Sequence, residues 1–593
     1  MARVDWRRGN ARRASRGHCN NIINKMNKIV RFSVLSFTLF SSCFGAQAAN
    51  PTNTILFNGI VVTLAGPDES SRAEAVAISG NRISAVGSNE DILALGDTDT
   101  ELIDLAGQAV LPGFIDAHGH FPSSGLIENH FVDLRSPPIG AVKTIEGMVV
   151  RLREKAANTL AGQWVQGWGY DDTLVQEMRH PTRWDLDRAS TSHPIYIGHI
   201  SGHLAVGNSL ALERSGITKN SPQPFGGKIR KDDSTGVPTG VLEEPPAMGR
   251  ISKLLPQFSE EDMLLALETA AKAYAAVGVT TAQQGAAAPT DVDLFVRAYK
   301  EGRLPIRVHV WPVIKAVAAM VDSGETLMQP NADGMVSFRA VKGFADGSIQ
   351  GYTGYLSEPY HSHSHNDPRY RGYPRMDRNS LAKQITSVHS AGYQIAIHGN
   401  GDAAIDDVLY AFEQALAASP REDARHIVVH SQMAREDQLE RMKVMGLIPS
   451  FFNLHTYYWG DRHWDIFMGP ERAARMSPAA SAVNKGLVFT LHADTPVVPM
   501  EPMRIVWAAV NRLSSGGRVI GKDQRISVNE ALKGITTYAA YQAFEETEKG
   551  TIEVGKLADL VVLDRNPLTV APLDLDDIVV TLTMVGGKTV FMR

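Results

Sequence analysis

Two histidines separated by one glycine, His118-Gly119-His120, close a short apolar run that follows Pro112-Gly113. On an extended strand, residues i and i+2 point the same way, so both imidazoles can address one cation. Asp116 lies two positions earlier on the same predicted face. His398, His430 and Asp494 hold matching positions, each ending an apolar, β-branched run (QIAIHGN, HIVVHSQ, LVFTLHADTP). A single strand-end histidine is ordinary core or loop chemistry, and a lone HxH is a weak signal. Five nitrogen and oxygen donors at four such ends form a pattern suited to Zn²⁺ or a similar divalent ion. Such an ion lowers the pKa of water towards ~7 and makes hydroxide available at neutral pH. Lys342, in RAVKGFADG, admits three readings. It points away, it pairs with Asp346, or it has added CO2 to become an anionic carbamate that bridges two metals, because an ammonium beside a dication is strongly repelled.

Other chemistries lack their parts. The two cysteines, Cys19 and Cys43, both precede residue 49, so the rest of the chain has no disulfide, thiolate site or cysteine nucleophile. Neither G-x-S-x-G nor GxxxxGK[ST] occurs, which removes the nucleophile elbow and the phosphate loop.

These donors need elements to bring them together. Eight strand-like runs end at PGFIDAHGH (112–120), VTTAQQG (279–285), IRVHVWP (306–312), RAVKGFADG (339–347), QIAIHGN (394–400), HIVVHSQ (426–432), GLIPSFF (446–452) and LVFTLHADTP (487–496). Helical patterns over 260–277, 378–391 and 403–418 separate several of them. This alternation predicts an α/β fold, a (β/α)8 TIM-type barrel over 112–545, whose sites form at the C-terminal strand ends. The stretch from about 121 to 259 is too long for one loop and reads as an insertion over the barrel mouth. Short β-branched runs with Asn-Gly and Gly-Gly turns occupy both ends of the chain. Neither end offers enough strands to stand alone, so 49–111 and 546–593 are expected to build one small β-sandwich.

The chain has 593 residues, 44% hydrophobic and 21% charged, which excludes disordered, collagenous and coiled-coil classes. Phe32–Gly45 is apolar and too short to span a bilayer. It follows Lys28 and Arg31 and precedes Ala46-Gln47-Ala48. Residues 1–48 therefore read as a secretory signal, with Met26 as an alternative start. That segment carries nine Lys/Arg and one Asp, which leaves the remainder near −13. Nucleic acids and anionic membranes are poor partners for such a chain. The expectation is a periplasmic or secreted protein with a small-molecule substrate and no stable membrane insertion after signal removal.

PGFIDAHGH, VKGFADGS, IHGNGDAAID, VVHSQ, HADTPV and the tail GTIEVGKLADLVVLDRNP together resemble the amidohydrolase superfamily. The resemblance is to its amidohydrolase-3 branch, which includes YtcJ-like proteins and N-substituted formamide deformylases, and it covers 54–593. It implies His118, His120, His398, His430 and Asp494 as metal ligands, and Lys342, when carboxylated, as the bridge between two ions; without it, one ion. It also implies a mechanism in which Asp494 takes the proton of the attacking water and passes it to the leaving nitrogen. A His–Asn pair near the substrate is matched by His203 and Asn208. The aromatic segment 452–463 is read as pocket lining, with His455 polarising a substrate carbonyl and Tyr457 beside it. Gly354 stands where relatives often carry alanine, a change expected to widen the pocket. Trp168, Tyr170, Glu243 and Glu244 are read as structural, and His361, His363 and His365 as a solvated loop. Superfamily analogy adds a homodimer.

The function expected is hydrolysis of a C–N bond in an amide, cyclic amide or N-formyl compound. The same site would also serve a deaminase or a carbamate or ester hydrolase. A reading of another class is a barrel that binds metal and regulates without turnover.

Overall fold

The computed structural model describes residues 52–66, 73–362 and 367–593. The signal read in 1–48, with Met26, Cys19 and Cys43, lies outside the described residues, as do His363 and His365. Among the described residues no helix is long and apolar enough to cross a membrane.

Eight parallel strand positions follow one another along the chain. They are Phe114–Ile115, Val279–Ala287, Arg307–Pro312, a fourth broken into Val336–Phe338 and Val341–Phe344, then Ile395–Gly399, Ile427–His430, Ile448–Phe451 and Thr490–Leu491. Each pairs in parallel with the next. A bridge between Val313 and Lys342 joins the two halves at the broken strand. On the opposite side the His120 N–H donates to the Thr495 carbonyl at 2.7 Å and the Asp494 N–H to the His118 carbonyl at 3.2 Å. The result is a TIM barrel. Its strands are almost wholly buried because helices cover the outside and side chains fill the interior.

The helices form where the sequence pattern places them, at Glu260–Ala276, Arg378–Ser390 and Asp402–Ala418. The first starts at Ser259, whose hydroxyl accepts the Asp262 N–H while the Asp262 carboxylate reaches back to the Ser259 N–H, a reciprocal cap. Asp377 caps the second by accepting the Ser380 N–H.

Between the first two barrel strands the chain builds a six-stranded sheet. Its order is Lys228–Lys231, Pro238–Glu243, Leu204–Gly207, Ile195–His199, Val165–Tyr170 and Val132–Asp133. Val149, Leu152, Ile195 and Ile197 form a core of its own on one face.

Two further sheets flank the start of the barrel. One holds Arg82–Gly87, Ala75–Ser79, Thr54–Phe57 and Glu101–Asp104; the other holds Ile60–Val61, Ala109–Pro112, Leu560–Leu563, Val580–Val585 and Lys588–Met592. Leu56, Val76, Val110, Leu560 and Met584 share one apolar cluster.

A buried ion pair ties this region to the barrel. Arg307, on the third strand, donates from Nε to Asp559 Oδ2 at 2.7 Å and from Nη2 to Oδ1 at 3.1 Å, with both side chains nearly inaccessible. Removing one partner strands the other charge in a dry site. Asp559→Ala is therefore expected to lower stability by about 3–5 kcal/mol, read as a fall in the urea midpoint.

Candidate functional site

His118 is completely buried, and its proton can be assigned. The Gly119 N–H donates to Gln283 Oε1 at 2.8 Å, which identifies that atom as the amide oxygen. His118 Nδ1 lies 3.1 Å from the same oxygen and must donate to it. Nε2 therefore carries a lone pair, and it faces Asp494 Oδ1 at 3.4 Å. His120 Nε2 approaches that oxygen at 3.3 Å. Asp494 Oδ1 is itself buried with no hydrogen-bond partner. Burial, then the nearby Lys342, holds the His118 imidazole well below its usual range, so it is neutral.

A second pair stands beside the first. His398 Nε2 lies 3.2 Å from the Gly347 carbonyl and 3.1 Å from Asn400 Nδ2, and its Nδ1 faces His430 Nε2 at 3.1 Å. His430 Nδ1 meets His492 Nε2 at 3.1 Å, and His492 Nδ1 meets the Ser450 hydroxyl at 2.9 Å. Burial keeps all three rings below the ordinary imidazole range, His492 at about 3. The His118 and His430 ring centres are 5.5 Å apart. The five donors read from the sequence thus meet at one barrel mouth, with His118, His120 and Asp494 as the tightest group.

Asp116 does not join them. Its carboxyl lies beneath Gly119, where a Cβ would fall 2.5 Å from Asp116 Oδ2, so the glycine of the HxH is required by space. Burial, then Asp494, pushes this carboxyl up to about 8.

Lys342 is fully buried and points into the site, with Nζ 3.1 Å from His118 Nε2. Burial lowers its amine to about 7, against the pull of Asp494. The unprotonated amine is the form that can add CO2. Of the three readings, outward orientation is excluded. So is pairing with Asp346, whose carboxylate instead accepts the N–H groups of Tyr355, Asn400 and Gly401.

Above these groups lies a cavity of about 630 Å³ between the barrel mouth and the inserted sheet. His120, His203, Lys342, His398, His430 and Asp494 all line it. His203 Nδ1 sits 3.0 Å from both oxygens of Glu244, which directs the rest of the ring towards the cavity and His398, 5.1 Å away between ring centres. Asn208 caps the helix Ser209–Arg214 and takes no part. His455 lines a small recess shared with His398, His430 and Asp494, and its Nδ1 has no partner.

Two expectations are corrected. Tyr457 lines neither space; its ring packs edge-on against Trp507 at 5.6 Å and under the Arg504 guanidinium at 4.8 Å. The segment 452–463 folds into short helical turns, so neighbours His455 and Tyr457 face different ways. Gly354 does not widen the cavity: a Cβ there would meet Ile349 at 2.5 Å, in a cluster away from the mouth.

The structure also adds residues that the sequence reading passed over or took as structural. His492 and Gln283 orient the candidate ligands His430 and His118, and Glu244 orients His203. His492 carries a legible signal, lying at i−2 from Asp494 on the last strand. Gln283 and Glu244 have none, because their partners are far away in the chain. A second donor group, Asp171, Asp172 and His199, is fully engaged. Asp171 accepts the Trp459 indole N–H at 2.9 Å, Asp172 meets His199 at 3.1 Å, and His199 Nδ1 meets Ser201 at 2.8 Å. It joins the insertion to the turn bearing Trp459.

A divalent ion fits the first group. The His118 Nε2 lone pair, which Lys342 Nζ also approaches at 3.1 Å, faces the Asp494 carboxylate oxygen at 3.4 Å, and a cation between them would bind both. His118 Nε2, His120 Nε2 and Asp494 Oδ1 would hold one ion, and His398 Nδ1 and His430 Nε2 offer a second pair. Gln283→Leu removes the oxygen that fixes the His118 proton. It is expected to lower metal affinity roughly 10- to 100-fold, measured by competition with a chelator of known affinity.

The Amidohydrolase family profile matches residues 101–591. N-substituted formamide deformylase of Arthrobacter pascens is 29% identical over 532 residues, covering 88% of this chain and 96% of that one. YtcJ of Bacillus subtilis (strain 168) is 29% identical over 551 residues, covering 91% and 99%. The solved structure of an uncharacterized metal-dependent hydrolase from Pyrococcus horikoshii OT3 superposes with a TM-score of 0.69 at 26% identity, covering 88% of this chain and 99% of that one. The match runs through every strand that carries a candidate ligand, and the chain belongs to the amidohydrolase family, as a hydrolase of carbon–nitrogen bonds.

Proposed function

We propose that this protein is an exported, divalent-metal-dependent amidohydrolase that cleaves the C–N bond of an amide, cyclic amide or N-formyl compound. The observation that carries the reading is the convergence of His118 Nε2 and His120 Nε2 on Asp494 Oδ1, which has no hydrogen-bond partner, at the floor of a substrate-sized cavity. The resemblance of the chain to a formamide deformylase supports the choice of bond. Zn²⁺ suits a donor set of imidazoles and one carboxylate.

A divalent ion held by His118, His120 and Asp494 supplies a Lewis acid that polarises the carbonyl and brings the pKa of water near ~7. Asp494 accepts the proton of the attacking water at a carboxylate oxygen and delivers it to the leaving nitrogen. His203, braced by Glu244, hydrogen-bonds the substrate carbonyl from its cavity-facing nitrogen. His455, in the adjoining recess, is a second candidate for that contact. Lys342, as a carbamate, would turn a buried cation into a buried anion beside His118 and so support a second ion near His398 and His430. The inserted sheet lines the cavity on the side opposite the barrel.

Asp494→Asn keeps an oxygen ligand but removes the proton acceptor. It is expected to cut kcat by roughly 10³-fold while metal content, measured by plasma mass spectrometry, stays near that of the parent. An unchanged rate would remove Asp494 from the base role. The same measurement on the parent protein is expected to give two ions per chain, falling towards one in Lys342→Ala; a parent value of one would remove the bridge.

A further inference from the structure

We infer that the cavity selects amides bearing a bulky, neutral, apolar group, aromatic or branched aliphatic, and discriminates against cationic ones. This deepens the proposed C–N hydrolase reading and rests on it. The floor and the walls of the cavity differ in kind. His120, His398, His430 and Asp494, with Lys342 and Arg375, line its barrel side, the floor. The walls present Leu126, Phe131, Trp168, Met248 and Phe258, with the uncharged polar Gln166, Ser252 and Gln257 among them. Among the described lining residues Asp494 is the one carboxylate, and it belongs to the floor. An ammonium on a substrate would therefore leave water for a wall with no counter-charge.

The volume points the same way. About 630 Å³ is the size of an ordinary small-molecule site, and the simplest amides would leave most of it empty. The wall is also preset. Trp168 lies so close over Gly198 that a Cβ there would fall 2.6 Å from the indole Cε3, and a Cβ on Gly202 would lie 3.8 Å from the far edge of the same ring. A ring held flat in this way offers apolar surface without first being ordered, which favours an apolar occupant.

The test compares the N-acetyl and N-formyl derivatives of 2-phenylethylamine, ethylamine and 1,3-diaminopropane, using the metal-loaded protein. Both kcat/KM and the Kd from calorimetry are read. The phenylethyl compounds are expected to exceed the ethyl ones by roughly 10- to 100-fold, with the diamine derivatives weakest. Met248, half-buried on the helix Glu244–Ser252, supplies the variant. Met248→Glu is expected to shift preference from the phenylethyl to the diamine compound, and Met248→Leu to retain the parent ranking. Equal or better binding and turnover of the ethyl or diamine compounds by the parent protein would overturn the inference. If the binding order holds and no amide is cleaved, the inference stands and the hydrolase reading fails. If amides are cleaved without any such order, the reverse holds.

Discussion

The site is organised by two acceptors forced to face each other. Gln283 pins the His118 proton on the far side of the ring, so the near nitrogen turns its lone pair towards a carboxylate oxygen that has nothing else to bind. Buried polar groups are almost always satisfied; Lys342 Nζ reaches the nitrogen at 3.1 Å, and a divalent ion would satisfy the carboxylate oxygen as well. The barrel closes at this same point, because the backbone hydrogen bonds between 118–120 and 494–495 are the seam between its first and last strands. Closure of the fold and assembly of the centre are thus one event.

Local backbone conformation shows how firmly the centre is held. His430, Ser431, Asp494 and Glu244 all adopt left-handed conformations, with φ between 44° and 68°. Each costs of order 1–3 kcal/mol for a residue with a side chain, and such conformations persist where the surrounding structure over-determines them. His430 and Asp494 sit at the strand-to-loop transitions, where the reversed twist turns the side chain inward over the mouth. Glu244 begins a helix immediately after an inserted strand and meets His203 there.

The parts legible in the sequence were those with a local signature. Period-two spacing marked His118 and His120, and strand-end placement marked His398, His430 and Asp494. The alternation of strands and helices marked the barrel, with helix limits within a residue or two. What escaped was set by tertiary geometry. Gln283 and Glu244 matter because of residues 165 and 41 positions away. Tyr457 was misplaced because a helical turn, not a loop, carries 455–458, so a neighbour of His455 points elsewhere. Gly354 looked like added space, but its surroundings leave no room for a methyl group. The orientation of Lys342 could not be read at all, since a strand-end lysine can face either way until its neighbours are known.

The Arg307–Asp559 clasp also bears on the order of assembly. Asp559 leaves the ribosome some 250 residues after Arg307, and the strand Leu560–Leu563 that follows it completes a sheet begun at Ile60–Val61 and Ala109–Pro112. A nascent chain halted before that point holds a guanidinium with no counter-ion at the base of a half-covered barrel, and its first β-strands lack their partners. Domains that draw both ends of the chain into one unit cannot mature piecemeal during synthesis. Arrival of the strands at 560–592, rather than emergence of the catalytic middle, is then the step that lets this fold close.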